Sequence, residues 1–312
     1  MRLIIYDPAY AYFEPLLKKL IDTQWDIEGE WGDDAWLRQE LRGADAILTS
    51  NFRPEWRSLA RHLKAVFIPG AGVPHTDTEE LPFGCHLSNV FEHGPPIAEY
   101  VFYVMLRHLT RIEEHASAFR QGNWSGSART AGQVHHELYG KTISLLGYGT
   151  IGKAIATRAE AFGMKVLTKR TTHEDPGFYT KCDFLVVSCP LTEDTRRLIT
   201  RHQLESLKPG AMLINVARGE IIDESALYTA LASRDLHAAL DAWYQYPTDI
   251  GQTLNGSRLP FHELPNVLVT PHLSAWTNKM IERRMTRIAT NLDRLAKGEP
   301  LERIVLTGTW EA

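Results

Sequence analysis

The chain has 312 residues, more than one hydrophobic core usually serves, so two domains are expected. Hydrophobic residues make up 44% and charged residues 23%, which excludes extended disorder, and a net charge of −4 excludes the basic excess of a nucleic-acid binder. No apolar run approaches the about 20 residues of a membrane span, the run at residues 3–6 is too short for a secretory signal, and Cys85, Cys182 and Cys189 lack disulfide or metal spacing, so a metal-free cytoplasmic protein is expected.

Short runs rich in Ile, Val and Leu alternate with stretches of helical period, the pattern of βαβ units on a parallel sheet. In the first third, strands are expected over residues 3–6, 46–49 and 65–69, with helices over 15–21, 34–41 and 54–63. The loop Pro69-Gly70-Ala71-Gly72-Val73-Pro74 follows. Gly94-Pro95-Pro96 then opens one long helix over 97–119, because proline fixes φ and suits a first helical turn. A polar stretch over 121–133 leads to a second strand series over 142–146, 165–168, 184–188, 212–216, 238–242 and 267–270. A last helix over 276–295 is long enough to return to the first unit. The expected division is 1–96, 97–280 and 281–312, with the middle segment a cofactor domain inserted in a smaller one.

The first strand of the second series runs into Gly147-Tyr148-Gly149-Thr150-Ile151-Gly152 and then into a helix-like stretch. A bare GxGxxG is a weak signal; between a strand and a helix it is a dinucleotide fingerprint. Gly147 permits the tight turn, Gly149 lets the backbone approach a pyrophosphate, and Gly152 lets helix and strand pack closely. Thr150 and Ile151 open the helix, whose free N–H groups and positive end receive the anion. The fingerprint ordinarily ends about 20 residues on at a carboxylate that binds the ribose 2′-hydroxyl. Here the second strand ends Lys169-Arg170-Thr171-Thr172. Two cations and two hydroxyls suit a 2′-phosphate, so NADP(H) is expected over NAD(H), with NAD(H) use still open.

Several further segments stand in order: Glu137-Leu138-Tyr139-Gly140-Lys141-Thr142, Cys189-Pro190-Leu191-Thr192, Leu207-Lys208-Pro209-Gly210-Ala211, Ile214-Asn215-Val216-Ala217-Arg218-Gly219-Glu220, and Leu264-Pro265-Asn266-Val267-Leu268-Val269-Thr270-Pro271-His272. With the fingerprint, they make the chain resemble the D-isomer-specific 2-hydroxyacid dehydrogenases over nearly its whole length. The resemblance implies an α/β fold of two doubly wound parallel-sheet domains, a Rossmann cofactor domain inserted in a smaller flavodoxin-like substrate domain. It makes Arg218 the substrate-binding and catalytic arginine, and His272 the general acid/base. Asp241 is set near the nicotinamide carboxamide, with Cys189, Pro190, Thr195 and Ala217 also on the cofactor. The backbone of Gly70-Ala71-Gly72 matches the loop that receives the substrate carboxylate, although Pro74 replaces the family's aspartate; Asn51 is a further candidate for substrate binding. A homodimer formed through the long helix is also implied.

One position departs from the pattern. Where the family places the glutamate that holds and charges the imidazole, this chain reads Asp241-Ala242-Trp243-Tyr244-Gln245-Tyr246-Pro247, with Tyr246 in the glutamate's place. Taking Asp249 as the substitute would require a shifted loop. Without a carboxylate partner, His272 is expected to titrate below a typical member, with Tyr246 orienting the ring through its hydroxyl. The leading reading is reduction of a small 2-ketoacid. Two others stay open: a regulatory, corepressor-like cofactor binder, and an enzyme like formate dehydrogenase. Trp243, Tyr244 and Tyr246 could wall a pocket for a bulkier substrate, or serve core or dimer packing.

Overall fold

The computed structural model describes residues 1–73, 78–124, 126–169, 176–247 and 251–311. The chain folds into two units, residues 1–92 with 277–312, and residues 93–276. Both are α/β units whose sheets are parallel apart from one edge pair.

In the first unit, β1 (Arg2–Tyr6), α1 (Glu14–Leu20), β2 (Asp26–Glu30), α2 (Asp34–Glu40), β3 (Ala46–Leu48), β4 (Ala65–Ile68) and β5 (His86–Asn89) are joined by α9 (Asn278–Lys297) and β12 (Ile304–Thr307). The sheet order is β12-β5-β4-β3-β1-β2, with β12 antiparallel to β5. This is the flavodoxin-like 2-1-3-4-5 order with one added edge strand. The central strands are apolar and buried on both faces, as a covered parallel sheet requires. Residues 54–63 differ from expectation. Trp56, Ala60 and Leu63 are buried at helical spacing, yet the segment is a 3-10 turn at Pro54–Trp56 followed by further tight turns. Leu59 N–H donates to the Trp56 carbonyl and Leu63 N–H to the Ala60 carbonyl, both three residues back.

The second unit opens with α3 (Gly94–Thr110) and α4 (Ile112–Arg120). The single helix expected over 97–119 is broken at Arg111, a left-handed residue with φ +48°. Thr110 turns its hydroxyl back onto the Leu106 carbonyl (2.8 Å), and beyond Arg111 the helix buries no residue, so no packing holds it in line. Apolar spacing alone does not register such a break.

The strands are β6 (Thr142–Leu146), β7 (Lys165–Lys169), β8 (Phe184–Val187), β9 (Ala211–Asn215), β10 (Leu236–Leu240) and β11 (Val267–Val269). Helices α5 (Thr150–Ala161), α6 (Pro176–Thr180), α7 (Arg201–Ser206) and α8 (Glu224–Ser233) connect them. The order β11-β10-β9-β8-β6-β7 reverses direction between β6 and β8, the switch point at which such sheets bind ligands. Ile143, Leu145, Phe184, Val186 and Ile214 are sealed on one face against α3 and α5, and Leu146, Leu185, Val187 and Leu213 on the other. Each such side chain contributes about 1.5–3 kcal/mol by leaving water.

Candidate active site

Backbone bonding carries the sheet register one step past the strands. Gly147 N–H donates to the Lys169 carbonyl, Ser188 to Leu146, Val216 to Val187, Asp241 to Asn215 and Thr270 to Leu240. These residues form a row along the carboxyl edge of the second unit's sheet, from which the fingerprint turn, Cys189, Arg218 and His272 leave within two residues.

The fingerprint turn tolerates no side chain at two of its glycines. Gly147 has φ +104°, and a Cβ there would stand 2.5 Å from the Cys189 nitrogen. At Gly152 it would stand 2.3 Å from the Gly147 carbonyl oxygen. At Gly149, the N-cap of α5, a Cβ would meet nothing within 4 Å, and no side chain caps the helix. Gly149 and Thr150 are exposed, so the first-turn N–H groups of Thr150, Ile151 and Gly152 face an open cradle. A dinucleotide pyrophosphate fits such a cradle.

Around it, Cys189 is buried and Pro190 exposed. Thr195 closes the loop after β8, its hydroxyl donating to the Pro190 carbonyl (2.7 Å) and accepting from Thr192 N–H (2.7 Å). Lys169 is only 8% exposed, its ammonium over the rings of Tyr179 (5.3 Å) and Phe178 (5.8 Å). Arg170, Thr171 and Thr172 lie outside the described residues.

Arg218 is exposed at the end of β9. The loop that carries it is tied down by Asn215, whose amide donates to the Arg218 carbonyl (2.9 Å) and accepts from Ala217 N–H (3.1 Å). One guanidinium nitrogen donates to the Ala217 carbonyl (2.7 Å). Among the described residues no carboxylate pairs with Arg218, so its remaining donors can fork onto an incoming anion.

Three aromatic residues from one short segment diverge. Trp243 is buried, its indole N–H on the Thr270 carbonyl (2.8 Å), and Tyr244 stacks on Phe261 (6.3 Å, 15°). Tyr246 points to the site. Its hydroxyl oxygen lies 2.9 Å from His272 Nδ1 and accepts the Trp243 backbone N–H (3.1 Å), with the two rings edge to face at 5.4 Å. Residue 249, the other candidate for the glutamate's part, lies outside the described residues.

His272 sits in a left-handed turn, φ +57°. Enclosure of the ring holds its pKa below the usual imidazole value; the nearby Arg218 charge adds to this and the Asp241 carboxylate opposes it. The residue as a whole is exposed, so desolvation of the ring is partial. Burial likewise raises the Tyr246 phenol above its ordinary range, with the Trp243 N–H and Arg218 opposing, so its hydroxyl stays protonated at neutral pH.

In the first unit, Gly70, Ala71 and Gly72 follow β4 as a loop held by Val90 N–H on the Gly70 carbonyl (3.2 Å) and the Asn89 amide on the Ala71 carbonyl (2.9 Å). Asn51 is exposed after β3, where its N–H donates to the Thr49 hydroxyl oxygen. Pro74 lies outside the described residues.

Sequence reasoning missed the supporting residues Asn215, Thr270, whose hydroxyl donates to Asp241 Oδ1 (2.6 Å), and Tyr100, whose hydroxyl lies 2.8 Å from that of Thr270. Asn215 and Thr270 stand inside the quoted motifs and could have been flagged there; Tyr100 lies in the apolar stripe of α3, with no signal of its own.

The family model described as D-isomer specific 2-hydroxyacid dehydrogenase, NAD binding domain, matches residues 102–274. A glycerate dehydrogenase from Methylorubrum extorquens is 33% identical over 288 residues, covering 88% of this chain and 90% of that protein. A glyoxylate/hydroxypyruvate reductase B from Serratia proteamaculans is 32% identical, covering 78% of each chain. The crystal structure of a D-isomer specific 2-hydroxyacid dehydrogenase family protein from Aeromonas salmonicida superposes with a TM-score of 0.78 at 27% identity, covering 98% of both chains.

Proposed function

The chain belongs to the D-isomer-specific 2-hydroxyacid dehydrogenase family, and from that premise we propose that it interconverts a small 2-ketoacid and its D-2-hydroxyacid with NADP(H). The observation that carries this reading is that Arg218, which meets no carboxylate among the described residues, and His272 both leave the sheet edge that bears the fingerprint turn. The fingerprint turn and the first turn of α5 would hold the dinucleotide, and a reduced nicotinamide would supply the hydride for the carbonyl carbon. Arg218 polarises the carbonyl and holds the carboxylate, and His272 gives its Nε2 proton to the oxygen as the alkoxide forms. Tyr246 accepts the Nδ1–H of the imidazolium and thereby fixes the ring. In oxidation His272 takes the hydroxyl proton instead.

The sign of the pH dependence follows. Reduction needs the imidazolium, so it fades as pH rises through the lowered pKa of His272. Oxidation needs the neutral ring, which persists to lower pH than in a member whose imidazole faces a glutamate.

NADP(H) preference is inferred from the missing carboxylate after β7, with NAD(H) use possible. The ammonium of Lys169 is engaged by two rings, so in this reading Arg170 and Thr171 take the larger share of a 2′-phosphate. The Gly70–Gly72 loop and Asn51 are assigned to the substrate on the resemblance. A homodimer is proposed on the apolar surface that Tyr103, Ile112, Phe119 and Trp124 leave exposed on and beside α3 and α4. A cytoplasmic location is proposed on the sequence reading; no helix among the described residues is long and apolar enough to cross a membrane.

A regulatory cofactor binder is the second reading, favoured by the tyrosine that stands in place of a carboxylate. A panel of small 2-ketoacids, glyoxylate and hydroxypyruvate included, assayed with NADPH and NADH in parallel separates the two. The enzyme reading expects ketoacid-dependent oxidation, faster with NADPH. Tight NADPH binding without turnover on any member of the panel would remove it.

A further inference from the structure

In the first unit, the peptide groups of the loop after β4 are held by their carbonyls. The Tyr10 hydroxyl donates to the Pro69 carbonyl (3.2 Å), Val90 N–H to the Gly70 carbonyl (3.2 Å) and the Asn89 amide to the Ala71 carbonyl (2.9 Å). In a planar trans peptide the N–H points opposite to the C=O. Pinning these carbonyls therefore turns the N–H groups of Gly70, Ala71 and Gly72 away from the donors. Among the described residues none of those N–H groups donates to a protein acceptor. A Cβ at Gly70 would meet nothing within 4 Å. Consecutive N–H groups left beside open space suit an anion.

Two of the pinning donors come from the end of β5 and the residue after it. The other joins the two ends of the chain. Tyr10 is buried, and its backbone is fixed by Asp7, whose buried carboxylate accepts the N–H groups of Ala9 (2.9 Å) and Tyr10 (3.1 Å). The buried Arg284 of α9 donates through Nη1 to the Tyr10 hydroxyl, with its guanidinium carbon 5.8 Å from the ring centre. A guanidinium carries donors and no acceptor, so the hydroxyl accepts from Arg284 and turns its own proton to Pro69. Burial holds the Tyr10 phenol above its ordinary pKa although the Arg284 charge opposes it, so the proton stays in place at neutral pH.

We propose that Tyr10 and Arg284 are positioning residues for an anion cradle at Gly70–Gly72: Arg284 sets the direction of the Tyr10 hydroxyl, and the hydroxyl sets the Pro69 peptide and with it the Gly70 N–H. The inference rests on the assignment of this loop to the substrate carboxylate. It extends that assignment to two side chains that lie behind the loop and need not touch the substrate.

Tyr10→Phe in the full chain tests it, because the ring is kept and only the hydroxyl is lost. The probe is oxamate, a 2-ketoacid isostere that is not reduced, titrated at saturating NADPH while the backbone amides of residues 70–72 are followed by NMR. In wild type these amides should shift with oxamate. In the variant the same shifts should need about 5- to 20-fold more oxamate, with NADPH affinity within about twofold of wild type. In turnover, KM for a 2-ketoacid should rise by a similar factor while kcat stays within about threefold, the split expected of a contact made alike in ground and transition states. Equal oxamate affinity in the two proteins would overturn the role of Tyr10 and leave the loop's assignment standing. Oxamate that does not move these amides in wild type would overturn both. The titration needs no turnover, so a failed ketoacid panel and a failed clamp are told apart. Should Tyr10→Phe not fold, Arg284→Met keeps the tyrosine and removes the group that turns its hydroxyl. It should weaken oxamate binding about 3- to 10-fold, and Arg284→Lys, which keeps a charged donor, should recover part of that loss. Unchanged oxamate affinity in Arg284→Met would overturn the part given to Arg284.

Discussion

Arg218→Ala should lower kcat/KM for 2-ketoacid reduction by about three orders of magnitude, while NADPH affinity stays within a few-fold of wild type. The guanidinium is exposed, spends one donor on the Ala217 carbonyl and meets no carboxylate among the described residues. Its free donors are therefore available both to a substrate carboxylate and to the carbonyl oxygen on which charge develops. The first contact acts in ground and transition states alike, and the second grows as hydride arrives, so KM should rise and kcat should fall together. Arg218→Lys keeps the charge and loses the planar fork, and should recover only a small part of the activity. Because Asn215 holds the loop through backbone groups, the alanine variant should keep its thermal midpoint. Steady-state kinetics beside a fluorescence titration of NADPH checks all of this; an alanine variant with wild-type kcat/KM would mean that Arg218 does not touch substrate.

The second large effect belongs to His272→Asn. Asparagine tolerates a left-handed φ better than most residues, so the turn at +57° survives while the proton donor is lost. The rate of reduction should fall by about 10²–10⁴-fold. What remains should lose the pH dependence that His272 gives the rate between about 5 and 8; the Tyr246 phenol beside the ring is raised by burial above its ordinary range and stays protonated there. A residual rate that still titrates in that window would place the acid on another residue.

The sequence carried most of the second unit. Its six strands lie within about two residues of expectation, and four of them, β6, β8, β9 and β10, are short, largely apolar runs buried along nearly their whole length. The strands it missed are those whose residues are polar or partly exposed. β2, Asp-Ile-Glu-Gly-Glu, is a sheet edge, and β5, His-Leu-Ser-Asn, is completed only by β12 from the far end of the chain. The helix break at Arg111 was invisible for a different reason: a left-handed residue leaves no mark on apolar spacing.

At the candidate site, residue identity was legible and partnership was not. Motif order pointed to Arg218, His272 and Tyr246, but nothing in the spacing reveals that the Trp243 N–H anchors the Tyr246 hydroxyl. Nor does it reveal that Asp241 spends its acceptors on the His272 turn. Lys169 shows the same limit in reverse. A cation after the second strand reads as a phosphate ligand, yet its ammonium lies over Phe178 and Tyr179, a contact formed by residues about ten positions away.

The claim on which the rest depends is that His272 works beside a neutral tyrosine instead of a carboxylate. The most direct measurement is the pH profile of kcat/KM for ketoacid reduction in wild type and Tyr246→Glu, recorded side by side. A glutamate at 246 stabilises the imidazolium by charge and hydrogen bond. Reduction by Tyr246→Glu should therefore persist to higher pH, its decline displaced upward by about one pH unit or more. Superimposable profiles would contradict the pairing of Tyr246 with His272.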